Sequence, residues 1–371
     1  MSLPHLRHAL TSILLLPLLA LPAMPAAAGD YESHPDMQAL VDELAKEDGI
    51  DRKATLALLG GAERKQAILE AIARPAEKAL SWAEYRPRFI EDRRILQGLE
   101  FWATHADVLA RAEKTYGVAP EFIVAIIGVE TRFGRNKGSW KVVDALATLA
   151  FDYPPRSAFF RKELKEFVRL EKSAHIKLAD ATGSYAGAMG FPQFMPSSYR
   201  AYAVDFDNDD VIDLINNPVD AIGSVANYFR KHGWQPGQPV AVRAAVTGTD
   251  YDRVANQGLE PKFTVREIEQ AGLAPLSCKD EGGLPVEYCA DPSPDEKATA
   301  WKLDGELGAE FWIGLRNFYV ITRYNRSEKY SLVVTQLARE LAKARATAAA
   351  TPAPAAAPAP AAAPAAAATG N

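Results

Sequence analysis

The chain has 371 residues, 48% hydrophobic and 24% charged, the proportions of an ordinary soluble globular protein. That composition excludes a collagen-like repeat, a chain disordered throughout and a polytopic membrane protein. With 42 Lys and Arg against 47 Asp and Glu the formal charge is −5, and bulk charge implies no nucleic-acid partner.

Residues 1–28 read as a signal peptide. Arg7 and His8 make a short basic start, Ile13 to Leu21 form an apolar run broken at Pro17, and Ala26 to Ala28 offer small residues ahead of Gly29. The run is too short to span a bilayer. Export to the periplasm is the expectation, without a lipid anchor, because no cysteine lies near the cleavage site.

Residues 29–118 read as a helical region. Met37, Leu40, Val41 and Leu44 fall at i, i+3, i+4 and i+7, one face of a helix. Asp51 is placed to cap a second helix through Leu59, stopped by Gly60 and Gly61. A third runs from Ala67 to Ile72, and a fourth, amphipathic, from Phe101 to Tyr116, where Gly117 ends it.

Residues 119–235 read as the core. Pro120 opens a helix where a missing N–H costs nothing. Phe122, Ile123, Val124, Ile126, Ile127 and Val129 make it apolar nearly all round, so it is expected to be buried. Glu130 closes the run, with Gly134 as the expected C-cap. Helical patterning resumes from Ser139 to Arg169 with an interruption at Tyr153-Pro154-Pro155, and again from Asp220 to Lys231, stopping at Gly233.

Residues 236–308 carry short β-prone runs at Val240 to Val246 and Phe263 to Glu267, a small β-containing insertion. Its Cys278 and Cys289 flank a Gly-Gly-Leu-Pro turn, and in an exported chain they suggest one disulfide. A two-ligand metal site and two free thiols are the alternatives. Residues 309–345 return to helix, and 346–371 are an Ala/Pro tail that cannot bury enough area to offset its ordering entropy. The expected fold class is mainly α (α+β).

Three stretches carry chemistry. Glu130 at the end of an apolar helix faces burial and the negative end of the helix dipole, and both disfavour its anion. That is the setting of a general acid. The alternative is a buried Glu paired with Arg132 or Arg135. The stretch from Gly183 to Tyr199 combines small residues, which allow close approach of a ligand, with Ser184 and Gln193 for directed hydrogen bonds and aromatic faces for a sugar ring. A tight helix–helix contact is the alternative there. Asp205, Asp207 and Asp209 alternate like the start of an EF-hand, with Val211 able to offer its carbonyl. Asp210 stands where the EF-hand has Gly and Asn216 where it has Glu. The alternative is a solvated acidic turn.

Gly128-Val129-Glu130-Thr131-Arg132-Phe133-Gly134 and the Ser184–Tyr199 stretch resemble the membrane-bound lytic murein transglycosylase B family. So do Asp220 to Phe229 and Asn317 to Asn325. The likeness covers Asp36 to Arg345. It implies a lysozyme-like core that cuts the MurNAc-β-1,4-GlcNAc bond of peptidoglycan and leaves a 1,6-anhydro ring on MurNAc. Glu130 falls on the family's catalytic glutamate, and Ser184 and Gln193 on polar residues lining the cleft. Tyr85, Tyr228, Tyr324, Asn325 and Tyr330 match positions that shape the glycan groove. The family's acidic loop is closed by a later Asp, matched here by Asp220, which implies a structural Ca²⁺ and no cofactor for the chemistry. Two departures are Phe133, where Trp is also seen, and the missing lipidation cysteine. An ordinary glycosidase uses two carboxylates. Only Glu130 sits in a convincing acid setting, so the substrate's own N-acetyl and C6 hydroxyl groups are expected to take part. A hydrolytic muramidase and a non-catalytic peptidoglycan-binding protein are the competing readings.

Overall fold

In the computed structural model, which describes residues 29–73, 80–175, 177–278 and 287–350, Met37, Leu40, Val41 and Leu44 are fully buried along one face of α1 (Pro35–Asp48). The leader 1–28 and residues 351–371 lie outside the described residues. Asp51 caps α2 (Arg52–Leu59) by accepting from the Ala54 amide at 2.7 Å, and α3 is Gln66–Ile72. A reciprocal Ser81–Glu84 capping box starts the single turn α4 (Trp82–Tyr85).

The helix expected over Phe101–Tyr116 is two helices, α5 (Asp92–Thr104) and α6 (Ala106–Tyr116), broken at His105. His105 leaves helical geometry at φ −116° and ψ 26°, with its ring 4.6 Å from that of Phe101. Buried Phe101, Leu109 and Ala112 keep helical spacing across the break, so periodicity does not reveal it.

Ile123 to Ile127 of α7 (Pro120–Thr131) have no exposure at all. The end of α7 departs from expectation. Arg132 is the C-cap at φ 49°, and Phe133 and Gly134 continue in the left-handed region at 60° and 81°. The Arg132 and Phe133 amides donate to the Gly128 and Ile127 carbonyls, so the turn closes two residues earlier than Gly134. The short strands β1 (Trp140–Lys141) and β2 (Thr182–Gly183) pair around the helices α8 (Val142–Asp152) and α9 (Ser157–Ser173). Then come α10 (Pro196–Tyr202) and α11 (Pro218–Lys231).

A five-stranded antiparallel sheet follows, in the order β4-β6-β7-β3-β5. Its strands are β3 (Ala241–Val246), β4 (Phe263–Thr264), β5 (Leu273–Pro275), β6 (Lys297–Gly305) and β7 (Gly308–Gly314). Two corrections arise here. The run Phe263–Glu267 is strand for two residues only, because a Thr264–Glu267 capping box starts α12 (Val265–Gln270). The insertion does not end at 308, since β7 reaches Gly314 and pairs Trp312 with Trp301. Phe311 to Gly314 are all buried, so no alternation marks them as strand. Val242, Ile268, Leu273 and Ile313 form a separate core under this sheet. A disulfide joins Cys278 to Cys289, their Cα atoms 4.7 Å apart.

The chain closes with α13 (Arg316–Tyr324) and α14 (Glu328–Ala350). Helix continues past the expected tail start at 346, because alanine is the best helix former and the first proline beyond is Pro352. Helix α14 packs along α7, and α8 along α9. Among the described residues no helix is long and apolar enough to cross a membrane.

Candidate active site

Glu130 is the penultimate residue of α7, and the side chain next to it fixes the turn that follows. The Gly134 amide donates to the Thr131 hydroxyl at 3.0 Å, and that hydroxyl lies 3.0 Å from the Phe191 carbonyl and 3.1 Å from that of Ile127. The end of α7 is thereby tied to the 183–199 segment. A Cβ on Gly134 would lie 2.1 Å from the Phe191 ring, at a φ that already favours glycine.

The Tyr330 phenol, from α14, donates to Glu130 Oε1 at 2.5 Å. The arginines that the sequence offered as partners for Glu130 go elsewhere. Arg132 lies 2.6 Å from Glu91, and Arg135 lies 2.9 Å from Glu100. Beneath the helix end runs Arg94, 4% exposed, which donates to the Gly128 carbonyl at 3.3 Å. Burial first, and the Arg132 charge second, bring its pKa down to about 10.

Three tyrosines extend this contact into a wall. Tyr324 and Tyr330 have ring centroids 6.4 Å apart and nearly parallel planes, and Tyr228 meets Tyr324 edge-on at 4.9 Å. Phe194 touches Tyr228 and Tyr324 at 5.5 and 5.7 Å. Tyr324 donates to the Pro192 carbonyl at 2.6 Å, and Tyr228 to that of Arg323 at 2.5 Å. Burial first, then the Glu130 charge, raise the Tyr324 and Tyr330 phenols well above their ordinary value, so both remain protonated donors. Tyr85 ends α4, with its ring 5.0 Å from Phe89. Asn325 is the half-buried C-cap of α13, and its carbonyl accepts from the Ser327 amide at 2.8 Å. Tyr85, Tyr228 and Tyr330 are buried, without open faces for stacking.

Ser184 and Gln193 shape their own segment. Ser184 Oγ accepts from the Ala186 and Ala188 amides at 3.3 and 3.1 Å. Gln193, at φ 50°, donates through Nε2 to the Lys137 and Gly190 carbonyls at 3.1 and 3.0 Å. Of the aromatics expected to offer faces, Phe194 and Tyr199 belong to the core, while Tyr185 and Phe191 are half-buried. The Lys137 ammonium lies 4.8 Å from the centre of the Phe191 ring.

The acidic loop sits next to this segment. The Tyr199 hydroxyl donates to the Ile212 carbonyl and accepts from the Leu214 amide, both at 2.8 Å. Asp205, Asp207 and Asp209 each bring a carboxylate oxygen within 4.8 Å of the others. Asp210, where the EF-hand pattern has Gly, adopts φ 69°, a conformation that Asp tolerates better than most residues. Asp220 lies close enough to Asp207 and Asp205 to feel their charge. It is fully buried, and its two oxygens accept from the Phe206 and Asp213 amides at 2.7 and 2.8 Å. Burial pushes its carboxyl up to about 6 against the pull of those amides, with Asp207 and Asp205 adding to the rise. Val211 is half-buried, and its amide donates to Asp209 at 2.9 Å.

Thr131, Arg94, Glu91 and Lys137 escape a reading by residue type. Thr131 was visible only as the neighbour of Glu130. The contact of Arg94 with Gly128 crosses 34 residues of sequence and leaves no local pattern.

With this geometry in view, the family is defined. Residues 32–339 match the model of the transglycosylase SLT domain, and the chain belongs to that family of enzymes. It is 39% identical over 325 residues to membrane-bound lytic murein transglycosylase B of Escherichia coli K12, covering 85% of each chain. The structure is similar to that of lytic transglycosylase SltB1 from Pseudomonas aeruginosa, with TM-score 0.79 and 49% identity, over 85% of this chain and all of that one. It also resembles the Escherichia coli lytic transglycosylase Slt35 solved in complex with calcium, with TM-score 0.74 and 40% identity, over 86% and 96% of the two chains. The fold is the lysozyme-like fold of these lytic transglycosylases, mostly helical with a small sheet.

Proposed function

We propose that the chain is an exported peptidoglycan lytic transglycosylase that cleaves the MurNAc-β-1,4-GlcNAc bond without water and leaves 1,6-anhydro-MurNAc ends. In this reading residues 1–28 direct it to the periplasm. Residues 119–235, completed by α13 and α14, form the catalytic core. The names of the relatives support the substrate class. The observation that carries the mechanism is the Glu130 carboxyl, held by the Tyr330 phenol and close enough for its charge to bear on both Tyr324 and Tyr330.

Glu130 protonates the leaving O4 as the C1–O4 bond breaks. The substrate's N-acetyl oxygen stabilises the positive charge growing at C1, the task that a second carboxylate performs in ordinary glycosidases. The Glu130 carboxylate then accepts the C6 hydroxyl proton as O6 bonds to C1, and the acid is restored. Tyr330 keeps one carboxylate oxygen in place through both steps. Ser184 and Gln193 hold the 183–199 segment in the shape that lines the cleft, and Tyr85, Tyr228, Tyr324 and Asn325 form the groove walls. No cofactor enters these proton transfers.

Asp205, Asp207 and Asp209 supply clustered hard oxygen donors of the kind Ca²⁺ prefers, and the calcium complex of Slt35 supports the same reading here. Val211 offers its carbonyl and Asp220 its remaining lone pairs. The ion's part is structural, relieving repulsion among the aspartates beside the 183–199 segment.

Digestion of purified peptidoglycan followed by borohydride reduction tests the reaction. The expected muropeptides carry MurNAc ends that borohydride does not reduce. Reducible ends would establish a hydrolytic muramidase, and absence of any release would establish a binding protein.

A further inference from the structure

Two adjoining cavities, of about 370 and 380 Å³, lie where the sheet insertion meets the last two helices and share Gly258, Leu259 and Arg326. Lys262, Arg323 and Arg326 line the first against one acid, Glu260, while the second sets Lys302, Arg326 and Lys329 against Asp304 and Glu328. Among the described residues, none of Lys262, Lys302, Arg323 and Arg326 has a carboxylate within 4.0 Å. In a chain of net charge −5, the three cations of the first cavity outnumber its one acid, and an anion relieves their mutual repulsion. Arg323 and Arg326 bracket Tyr324 and Asn325 in sequence, so the basic cleft and the tyrosine wall both draw on the end of α13.

We propose that the cleft binds carboxylates of the peptide branch that peptidoglycan carries on the lactyl group of MurNAc. The proposal rests on the peptidoglycan reading above. A glycan strand lying against the tyrosine wall presents such a branch to one side, and the loop 258–262 faces α13 across the cleft that receives it. The guanidinium groups of Arg323 and Arg326 suit bidentate pairing with a carboxylate, with the Lys262 ammonium as a further point charge. The exposed cations act on capture of the strand and leave the proton transfers at Glu130 alone.

The test compares the parent with Arg326→Glu and with the double variant Arg326→Glu/Lys262→Glu on two substrates, peptidoglycan strands with intact peptides and the same strands stripped by an amidase. On intact strands the double variant is expected to raise KM about tenfold, with kcat little changed. The parent's KM on intact strands is expected to rise with ionic strength, while KM on stripped strands stays the same for all three proteins. Equal KM for parent and double variant on intact strands would overturn the proposal. So would an equal loss on both substrates, which would put these cations in the glycan path or in the fold. Turnover of stripped strands by the parent keeps the peptidoglycan reading intact in either case.

Discussion

Tyr330 reaches Glu130 across 200 residues of sequence, and one phenolic hydrogen bond holds the carboxyl on which the proposed reaction turns. Tyr330→Phe deletes the donor and keeps the ring beside Tyr324. A hydrogen bond to a charged group is worth about 1.5–3 kcal/mol, so kcat is expected to fall about ten- to hundredfold with KM little changed. Steady-state kinetics on solubilised glycan strands check this, and an unchanged kcat would reduce Tyr330 to a packing residue. Glu130 itself was legible in the sequence as a carboxyl that closes an apolar helix, with pairing to Arg132 or Arg135 as the other reading. Its partner was not, since nothing local to Tyr330 announces a contact so far away. Ser184 and Gln193 were legible as positions, while their partners within the protein, their own loop and the Lys137 carbonyl, were not.

Helix α9 holds the start of α10 through one buried acid. Glu163, 2% exposed, accepts from the Ser197 amide at 2.9 Å and from its hydroxyl at 2.7 Å. Burial raises its pKa above the ordinary 4.5, and the two Ser197 hydrogen bonds only partly offset that. The folded state therefore holds this proton more tightly than the unfolded chain does. Its contribution to stability is greatest below pH 4.5 and is lost as pH rises through the raised folded value. Glu163→Gln stays neutral throughout, so its Tm is expected to fall less than the parent's over that rise, and parallel Tm–pH curves would contradict the argument. The acidic loop gives a second test at this scale. Ca²⁺ at about a hundredfold excess over its Kd should stabilise the parent by roughly 2.7 kcal/mol. Mg²⁺ should do so less, and Asp209→Ala should abolish the difference. Chelator is expected to lower activity only in part. Melting curves identical with chelator and with Ca²⁺ would leave the loop a solvated turn. Among the elements, α1 and α11 were readable from helical patterning, and α7 from Pro120 at its start and an apolar run nearly all round. The bend at His105 and the strand β7 were not: the first preserves the repeat across the break, and the second is buried on both faces.

At the scale of the molecule, four stretches far apart in sequence converge around Glu130 and the tyrosines: the end of α7, the 183–199 segment, α11, and the junction of α13 with α14. Their order along the chain was visible in the motifs. Their meeting required the packing of α14 on α7, which depends on side chains too distant in sequence for any pattern to register. The sheet insertion has its own core and disulfide, and neither Glu130 nor the tyrosines around it belong to it. The central claim is that one carboxyl, Glu130, works with the substrate's own C6 hydroxyl and that no water enters the product. Digestion of peptidoglycan in H₂¹⁸O, with mass analysis of the muropeptides, tests it most directly. The expected products carry no ¹⁸O and are lighter by one water than their hydrolysed counterparts, and Glu130→Gln releases almost none of them. A reducing MurNAc end labelled with ¹⁸O, or release undiminished by Glu130→Gln, would contradict the account.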